Sequence, residues 1–406
     1  MSFSMGSNTD FAVTASTNPD SIATGSLRNN GILDIVCCCN KTVGSNTLAT
    51  RLGNGDGTFG GGADVTLGSG GTIAPTAVAL GSLRNNGILD AVVALNGQAA
   101  VAVLLGDGAG AFGAASNTST GVGSGPYGMA LGDLRSNGKL DVVCVDNTNS
   151  KLIVLLGNGD GTFAAPATYT TGTGPALVAL GSLRNNGILD AVVTNLTAGT
   201  VSVFLGNGDG TFAAKADYTG IASNYAICLG DFTGNGKLDV AVGRGSIVTF
   251  LGNGDGTLQA AVTAATPVAS SVVLSLAAGD LNGDGKLDLV ANNFSGAGTA
   301  NAQIFLGVGD GTFGSPISLN ASGDTQCYAC CLGDFNGDGK LDVAASNYAT
   351  ANVSVWLQTT PGIRGESQGT FAITPAGIWR NLPNVAGAYP RVVSGEHRSG
   401  AKVEGE

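Results

Sequence analysis

Basic side chains and histidine are scarce in this sequence. Lys and Arg number 18 against 29 Asp and Glu, and the formal net charge is −11. So few cations make a poor match for a phosphate backbone, and no nucleic-acid partner is expected. A single histidine, His397, lies outside any repeated segment, and no G-x-S-x-G nucleophile elbow occurs, which removes the commonest constellations for nucleophilic catalysis. Charged residues of all kinds make up 12%, against roughly a quarter in ordinary domains. No apolar run reaches membrane-spanning length, so direct membrane insertion is not expected. The opening "MSFSMGSNTD" has no basic stretch followed by an apolar one and does not read as a signal peptide as written; a processed secreted chain would look the same. A sustained 3.6-residue hydrophobic period is also missing, which argues against helices.

Glycine and small apolar residues fill the space left by charge. Gly accounts for 67 of 406 residues without an every-third-residue period, which excludes collagen, and hydrophobic residues make up 43%, enough for a real core. Eight cysteines occur: Cys37, Cys38, Cys39, Cys144, Cys228, Cys327, Cys330 and Cys331. Most stand where Val or Ala stands in comparable segments, so they read as small buried hydrophobes. A disulfide between distant segments is the alternative, and spacing alone cannot give its pairing.

Two motifs repeat in step. The first begins at Gly25, Gly81, Gly132, Gly181, Gly230, Gly279 and Gly333, about 50 residues apart. The second, of the form "LGNGDGTF", follows each at a similar offset, from Leu52 to Leu306, and is broken open after Leu357 before Gly369-Thr370-Phe371. One unit resolves into four short strands: "ALVALG" from Ala176, "LDAVVTN" from Leu189, "TVSVFLG" from Thr200 and "TFAAKADYT" from Thr211. Gly, Asn and Asp punctuate the junctions. Seven such units predict an all-β, seven-bladed β-propeller with four-stranded antiparallel blades over residues 1–374, with an irregular tail or cap over 375–406. Phe59, Phe112, Phe163, Phe212, Leu258, Phe313 and Phe371 recur at one position, as packing between blades. Ring closure by the N-terminal Phe11–Thr14 segment would remove two open sheet edges; Phe371–Thr374 competes for that place.

The first motif carries the chemistry. In "DLNGDGKLD", the side chains of Asp280, Asn282, Asp284 and Asp288, with the Lys286 carbonyl, offer alternating oxygens in a tight glycine-bent turn. Asp334, Asn336, Asp338, the Lys340 carbonyl and Asp342 repeat the series. Such a set suits Ca²⁺, which takes a flexible protein-rich oxygen shell, better than Mg²⁺. Asp231, Thr233, Asn235, the Lys237 carbonyl and Asp239 form a poorer version and a weaker site. The third loop, Asp133, Arg135, Asn137 and Asp141, keeps its end acids but sets an arginine between them. Three loops read "GSLRNNGILD", at Gly25, Gly81 and Gly181. There Arg28, Arg84 and Arg184 are expected to replace the ion and to pair with Asp34, Asp90 and Asp190, because a guanidinium can brace several oxygens. The alternative is a solvated arginine in a turn held by Gly and Asn alone. The "GNGDG" turn reads as a hairpin bend, and with no βαβ unit it carries no dinucleotide signal.

"DLNGDGKLD" followed one hairpin later by "LGVGDGTF" resembles the FG-GAP/VCBS repeat family, which includes the α-subunit propellers of integrins. The resemblance runs from about Phe11 to Phe371. It implies a propeller whose loops hold Ca²⁺ through the motif's first, third, fifth, seventh and ninth positions, which are the residues named above in the fifth, sixth and seventh loops. It also implies an extracellular or cell-surface, non-catalytic binding module, with no cofactor besides Ca²⁺. A carbohydrate or glycoprotein ligand, in the manner of a lectin, is the leading expectation. Binding of an extracellular protein in adhesion, or self-association into a structural assembly, is the alternative, with a polysaccharide-active enzyme third. Trp356, Trp379, Tyr389, Tyr127, Tyr169, Tyr218, Tyr225, Tyr328 and Tyr348 include the candidates for sugar stacking.

Overall fold

Short runs of Val, Ala, Leu and Ile closed by Gly, Asn or Asp satisfy their backbones only by pairing with neighbouring strands. A computed structural model describes residues 3–13, 18–40, 45–69, 73–219, 224–267, 272–292, 294, 302–320 and 326–359. Among the described residues no helix is long and apolar enough to cross a membrane.

The chain forms seven antiparallel sheets, numbered here as blades in chain order. Blade 4 is typical: Pro175–Gly181, Asp190–Asn195, Thr200–Phe204 and Ala216–Thr219 pair in sequence order. The first strands of blades 1 to 7 are Asn18–Gly25, Pro75–Gly81, Pro126–Gly132, Pro175–Gly181, Ala226–Gly230, Leu276–Gly279 and Cys327–Gly333. Each lies beside the first strand of the next blade, and the last returns to the first, so they enclose a central axis. Blade 1 departs slightly, because Phe59–Gly61 and Val65–Ser69 both pair with Ser45–Gly53.

The ring is closed by the N-terminal strand. Met5–Ala12 pairs antiparallel with Asn352–Gln358, in register at Asp10↔Ser354 and Phe11↔Val353. Asp10 Oδ1 accepts a 2.5 Å hydrogen bond from Ser354 Oγ. The competing segment at Phe371, and the tail 375–406, lie outside the described residues.

Each hydrophobic cluster bridges two neighbouring blades. Val143, Val145 and Leu152 of blade 3 meet Val178, Val193 and Phe204 of blade 4, with Phe212 sealing the rim. Phe112, Phe163, Leu258, Phe313 and Phe59 do the same at their own seams, as the recurring position predicts. All eight cysteines are buried, as packing residues. The glycine that opens each first motif has a steric cause. The leucine before the final aspartate of the next blade's loop packs on it: Leu89 on Gly25, Leu140 on Gly81, Leu189 on Gly132, and so around to Leu33 of blade 1 on Gly333. A Cβ at those four glycines would stand 2.5–2.7 Å from the leucine Cδ1.

Closure depends on a T-shaped aromatic chain in which Phe11 meets Phe59 at 5.0 Å and Phe59 meets Phe335 at 5.7 Å. Phe11→Ala should therefore cost about 2 kcal/mol, below a fully buried Phe because the ring is partly exposed. Urea denaturation should show a lower midpoint at unchanged slope. Deleting the strand through Ala12 should instead give concentration-dependent self-association, since it bares the edge of Asn352–Gln358.

Candidate metal centre

The first motif becomes the turn between the first and second strands of each blade, and its last residue opens the second strand. That residue is Asp34, Asp90, Asp141, Asp190, Asp239, Asp288 or Asp342, and all seven have zero exposure. Each carboxylate accepts two backbone N–H groups. In blade 4, Asp190 Oδ2 accepts Leu183 N at 3.0 Å and Oδ1 accepts Gly206 N at 2.9 Å. The first bond holds the turn, and the second ties it to the end of the third strand. Asp288 does the same with Leu281 N and Gly307 N, at 2.8 and 2.7 Å. In blade 7 the second donor is Gln358 N, at 2.8 Å.

The blades differ in what neutralises this buried charge. Arg28, Arg84 and Arg184 each place Nη2 2.5–2.6 Å from Oδ1 of Asp34, Asp90 and Asp190. The same Nη2 donates at 2.6 Å to the carbonyl of Gly53, Gly106 or Gly206. These are the pairs expected from "GSLRNNGILD". Arg135 of blade 3 makes the identical clamp, 2.6 Å to Asp141 and 2.6 Å to the Gly157 carbonyl. Arg135 stands at the same motif position as the other three arginines, but the flanking Asp133 and Lys139 resemble the metal motif and disguise the clamp. Burial leaves the Asp141 and Asp190 carboxyls raised, with the Gly157 and Gly206 N–H groups and the bonded arginines opposing the shift.

Blades 5, 6 and 7 have Thr233, Asn282 and Asn336 where the arginine stands, and among the described residues no guanidinium pairs with their buried acids. Burial pushes Asp239 up to about 6, with the Asp231 charge adding to the shift. Burial pushes Asp288 up to about 7, helped by Asp280 and Asp284. Asp342 also rises to about 7, from burial and then from Asp338 and Asp334. The other predicted ligands lie on the same turns. Asp280 accepts Gly283 N and Gly285 N at 2.7 and 2.8 Å, Asp334 accepts Gly337 N and Gly339 N at the same distances, and Asp231 accepts Asn235 N and Gly236 N. Asp284, Asp338 and Asn235 receive the N–H groups of Lys286, Lys340 and Lys237. Lys340 Nζ also lies 3.6 Å from Asp338. The carboxylates are near enough to raise one another, yet among the described residues no three His, Cys, Asp or Glu are gathered closely enough to count as a formed metal cluster. In each turn the first acid is directed to the backbone.

The "GNGDGTF" turns are self-contained hairpin bends, as expected. Asp160 Oδ1 accepts Thr162 N at 2.9 Å and Thr162 Oγ1 at 2.6 Å, which holds its carboxyl below the ordinary value.

Comparison with known proteins places these repeats. The FG-GAP-like repeat description matches residues 83–144, 135–193, 183–242, 231–291 and 294–345. No curated protein matches the chain. Among solved structures, a lectin of Agrocybe aegerita that recognises non-reducing terminal N-acetylglucosamine is similar at TM-score 0.53 and 22% identity, over 75% of this chain and 81% of that one. BBS1N, solved in complex with ARL6DN, gives 0.59 at 12% identity over 89% and 98%. Virginiamycin B lyase of Staphylococcus aureus gives 0.58 at 13% identity over 88% and 99%. At these identities the likeness extends to the fold alone.

Removing the guanidinium from an arginine blade leaves a buried carboxylate unpaired. Arg84→Ala should cost about 3 kcal/mol, and equally in calcium and in chelator. Arg84→Lys should recover little, because an ammonium cannot reproduce the planar fork. Chemical denaturation of the variants in both media is the check.

Proposed function

This chain belongs to the FG-GAP-like repeat family, and we propose that it works as a non-catalytic binding module outside the cell. Blades 5, 6 and 7 are braced by calcium, and the face opposite the loops takes a carbohydrate or glycoprotein. The observation that supports calcium is the contrast within one ring. Four blades set a guanidinium nitrogen 2.5–2.6 Å from the buried aspartate, and three keep the same aspartate and the same backbone clamp without it. An ion held by Asp280, Asn282, Asp284, the Lys286 carbonyl and Asp288 would supply the missing positive charge. Asp334, Asn336, Asp338, the Lys340 carbonyl and Asp342 offer the same hard oxygens, and Asp231, Thr233, Asn235, the Lys237 carbonyl and Asp239 a poorer set. The ion's work there is structural, since it neutralises acids that otherwise raise one another.

Support for a sugar-bearing ligand comes from the opposite face. Tyr328 stacks on Tyr348 at 4.5 Å and 26°, and Phe294 meets Tyr328 edge-on at 5.0 Å. All three are partly exposed, and flat aromatic faces of this kind suit the apolar side of a pyranose. The similarity to a lectin points the same way. A glycan array probed with the full chain in calcium tests the reading, and Tyr348→Ala should weaken any hit about tenfold, consistent with loss of one stacking face. Silence on the array, with self-association by size measurement, would favour assembly instead.

Metal analysis after mild dialysis should find about two or three ions per chain, from the count of oxygen-rich loops. Chelation should lower the Tm, through loss of mass-action stabilisation. The effect has a defined pH dependence. Folding without the ion raises the carboxyls of Asp239, Asp288 and Asp342 towards about 6 or 7, so the folded state binds more protons than the unfolded one. Stability of the chelated protein should therefore be greatest at low pH within the carboxylate range and fall as pH rises through about 7. Calcium should stabilise most above that point. A chelated protein that gains stability between about pH 5 and pH 8 would contradict this assignment.

A further inference from the structure

The axis of the ring holds a second constellation, on the face away from the arginine and acid loops. Near its start, the first strand of every blade supplies a side chain to one cavity of about 90 Å³. Asp20 comes from blade 1, Tyr127 from blade 3, Tyr225 from blade 5 and Tyr328 from blade 7. Thr76, Leu177 and Leu274 complete the ring. Among the described residues no lysine or arginine lines it.

The wall is organised. Tyr225 donates its phenol to the Tyr127 oxygen at 2.6 Å, and the two rings stand 6.1 Å apart at 89°, forming a corner. Tyr328 stacks on Tyr348. The Thr76 hydroxyl is directed to the backbone carbonyls of Pro126 and Tyr127, at 3.2 and 3.1 Å. The cavity thus offers three aromatic rings, two leucines, one carboxylate and the Ser21 and Ser275 hydroxyls, whose oxygens already accept Val78 N and Cys330 N. Burial pushes that carboxyl up to about 7, while the Asn40 side chain draws it down. Burial raises Tyr127, Tyr225 and Tyr328, and the Asp20 charge adds a smaller push in the same direction. Among the described residues no cation pairs with this acid.

The chemistry narrows the guest. An anion is repelled by Asp20. A hard metal ion wants several oxygens, and most of this wall is ring and aliphatic surface. A neutral polyol needs many free donors and acceptors, whereas the Tyr225 and Thr76 hydroxyls already donate to protein oxygens. A cation carrying alkyl groups fits both parts, because aromatic faces attract positive charge and the leucines accept hydrocarbon. We propose that this axial cavity binds a small alkylammonium ion, with its charge on Asp20 and its alkyl part against Tyr127, Tyr225, Tyr328 and the two leucines. The site shares Tyr328 with the glycan reading but does not use Tyr348, so the two are tested apart.

The test is calorimetric titration of the full calcium-loaded chain with propylammonium chloride at about pH 8, where Asp20 is ionised. Sodium and potassium chlorides at equal ionic strength, and 1-butanol as the neutral isostere, are the comparators. Saturable binding of propylammonium alone is expected. Asp20→Asn should weaken it at least about tenfold, and since it removes a buried charge it should not unfold the protein. Tyr225→Phe keeps the ring and should change affinity less than about threefold, whereas Tyr328→Leu should cost about tenfold through the lost aromatic face. At about pH 5.5 binding should weaken at least about tenfold as Asp20 gains its proton. The facing phenols and the thiols of Cys38 and Cys330 are all raised and stay protonated in both buffers. Tyr348→Ala should leave binding within about threefold, which separates this site from a glycan site that uses that ring. No saturable binding up to about 50 mM, equal binding of 1-butanol or potassium, or an undiminished Asp20→Asn would each overturn the proposal.

Discussion

One buried carboxylate per blade carries the architecture. It accepts an N–H from its own turn and another from the end of the third strand, so two segments far apart in the blade are fixed by one side chain. Burying that oxygen pair removes it from water, and two neutral donors do not offset the loss of hydration around a full charge. Every blade therefore has to bring a cation to the same place or carry a perturbed acid. The rest of the loop can be understood as the means of doing so.

The two solutions are not scattered around the ring. Blades 1 to 4, contiguous in space as in sequence, use arginine. Blades 5 to 7, also contiguous, use acid-rich turns. The propeller thus has an arc whose neutrality is covalently built in and an arc whose neutrality depends on its surroundings. A closed ring is only as secure as its weakest seam, and the acid-rich arc includes blade 7, where the two ends of the chain meet.

Much of this was legible in the residues. Seven copies of a paired motif set the blade count, and repetition at one position identified the phenylalanines as seam packing. The arginine–aspartate pairs could be read for blades 1, 2 and 4, because serine at the first position leaves arginine no rival. Blade 3 was obscured because Asp133 and Lys139 copy the metal motif, although Asp133 only receives backbone N–H groups of its own turn. Closure could not be read, since Phe11 and Phe371 present the same local pattern and only pairing with Asn352–Gln358 distinguishes them. The axial ring was invisible for a deeper reason. It draws on all seven blades, at or just before their first strands, and its members, Asp20, Tyr127, Tyr225 and Tyr328, become neighbours only through the curvature of the whole molecule.

The closing strand has a consequence in time. The bond between Asp10 and Ser354 spans 344 residues, so during synthesis the N-terminal segment leaves the ribosome long before its partner exists. At usual elongation rates of about 5–20 residues per second, Met5–Ala12 waits roughly 17–70 seconds as an unpaired β-edge beside finished blades. The strand is partly equipped for the wait. It begins with Met5-Gly6-Ser7-Asn8-Thr9-Asp10, mostly small and polar, with its only aromatic ring near the end. A nascent chain that must hold an open edge is served by one that attracts no other chain, and the polarity of this strand, which adds little to the finished ring, protects the unfinished one.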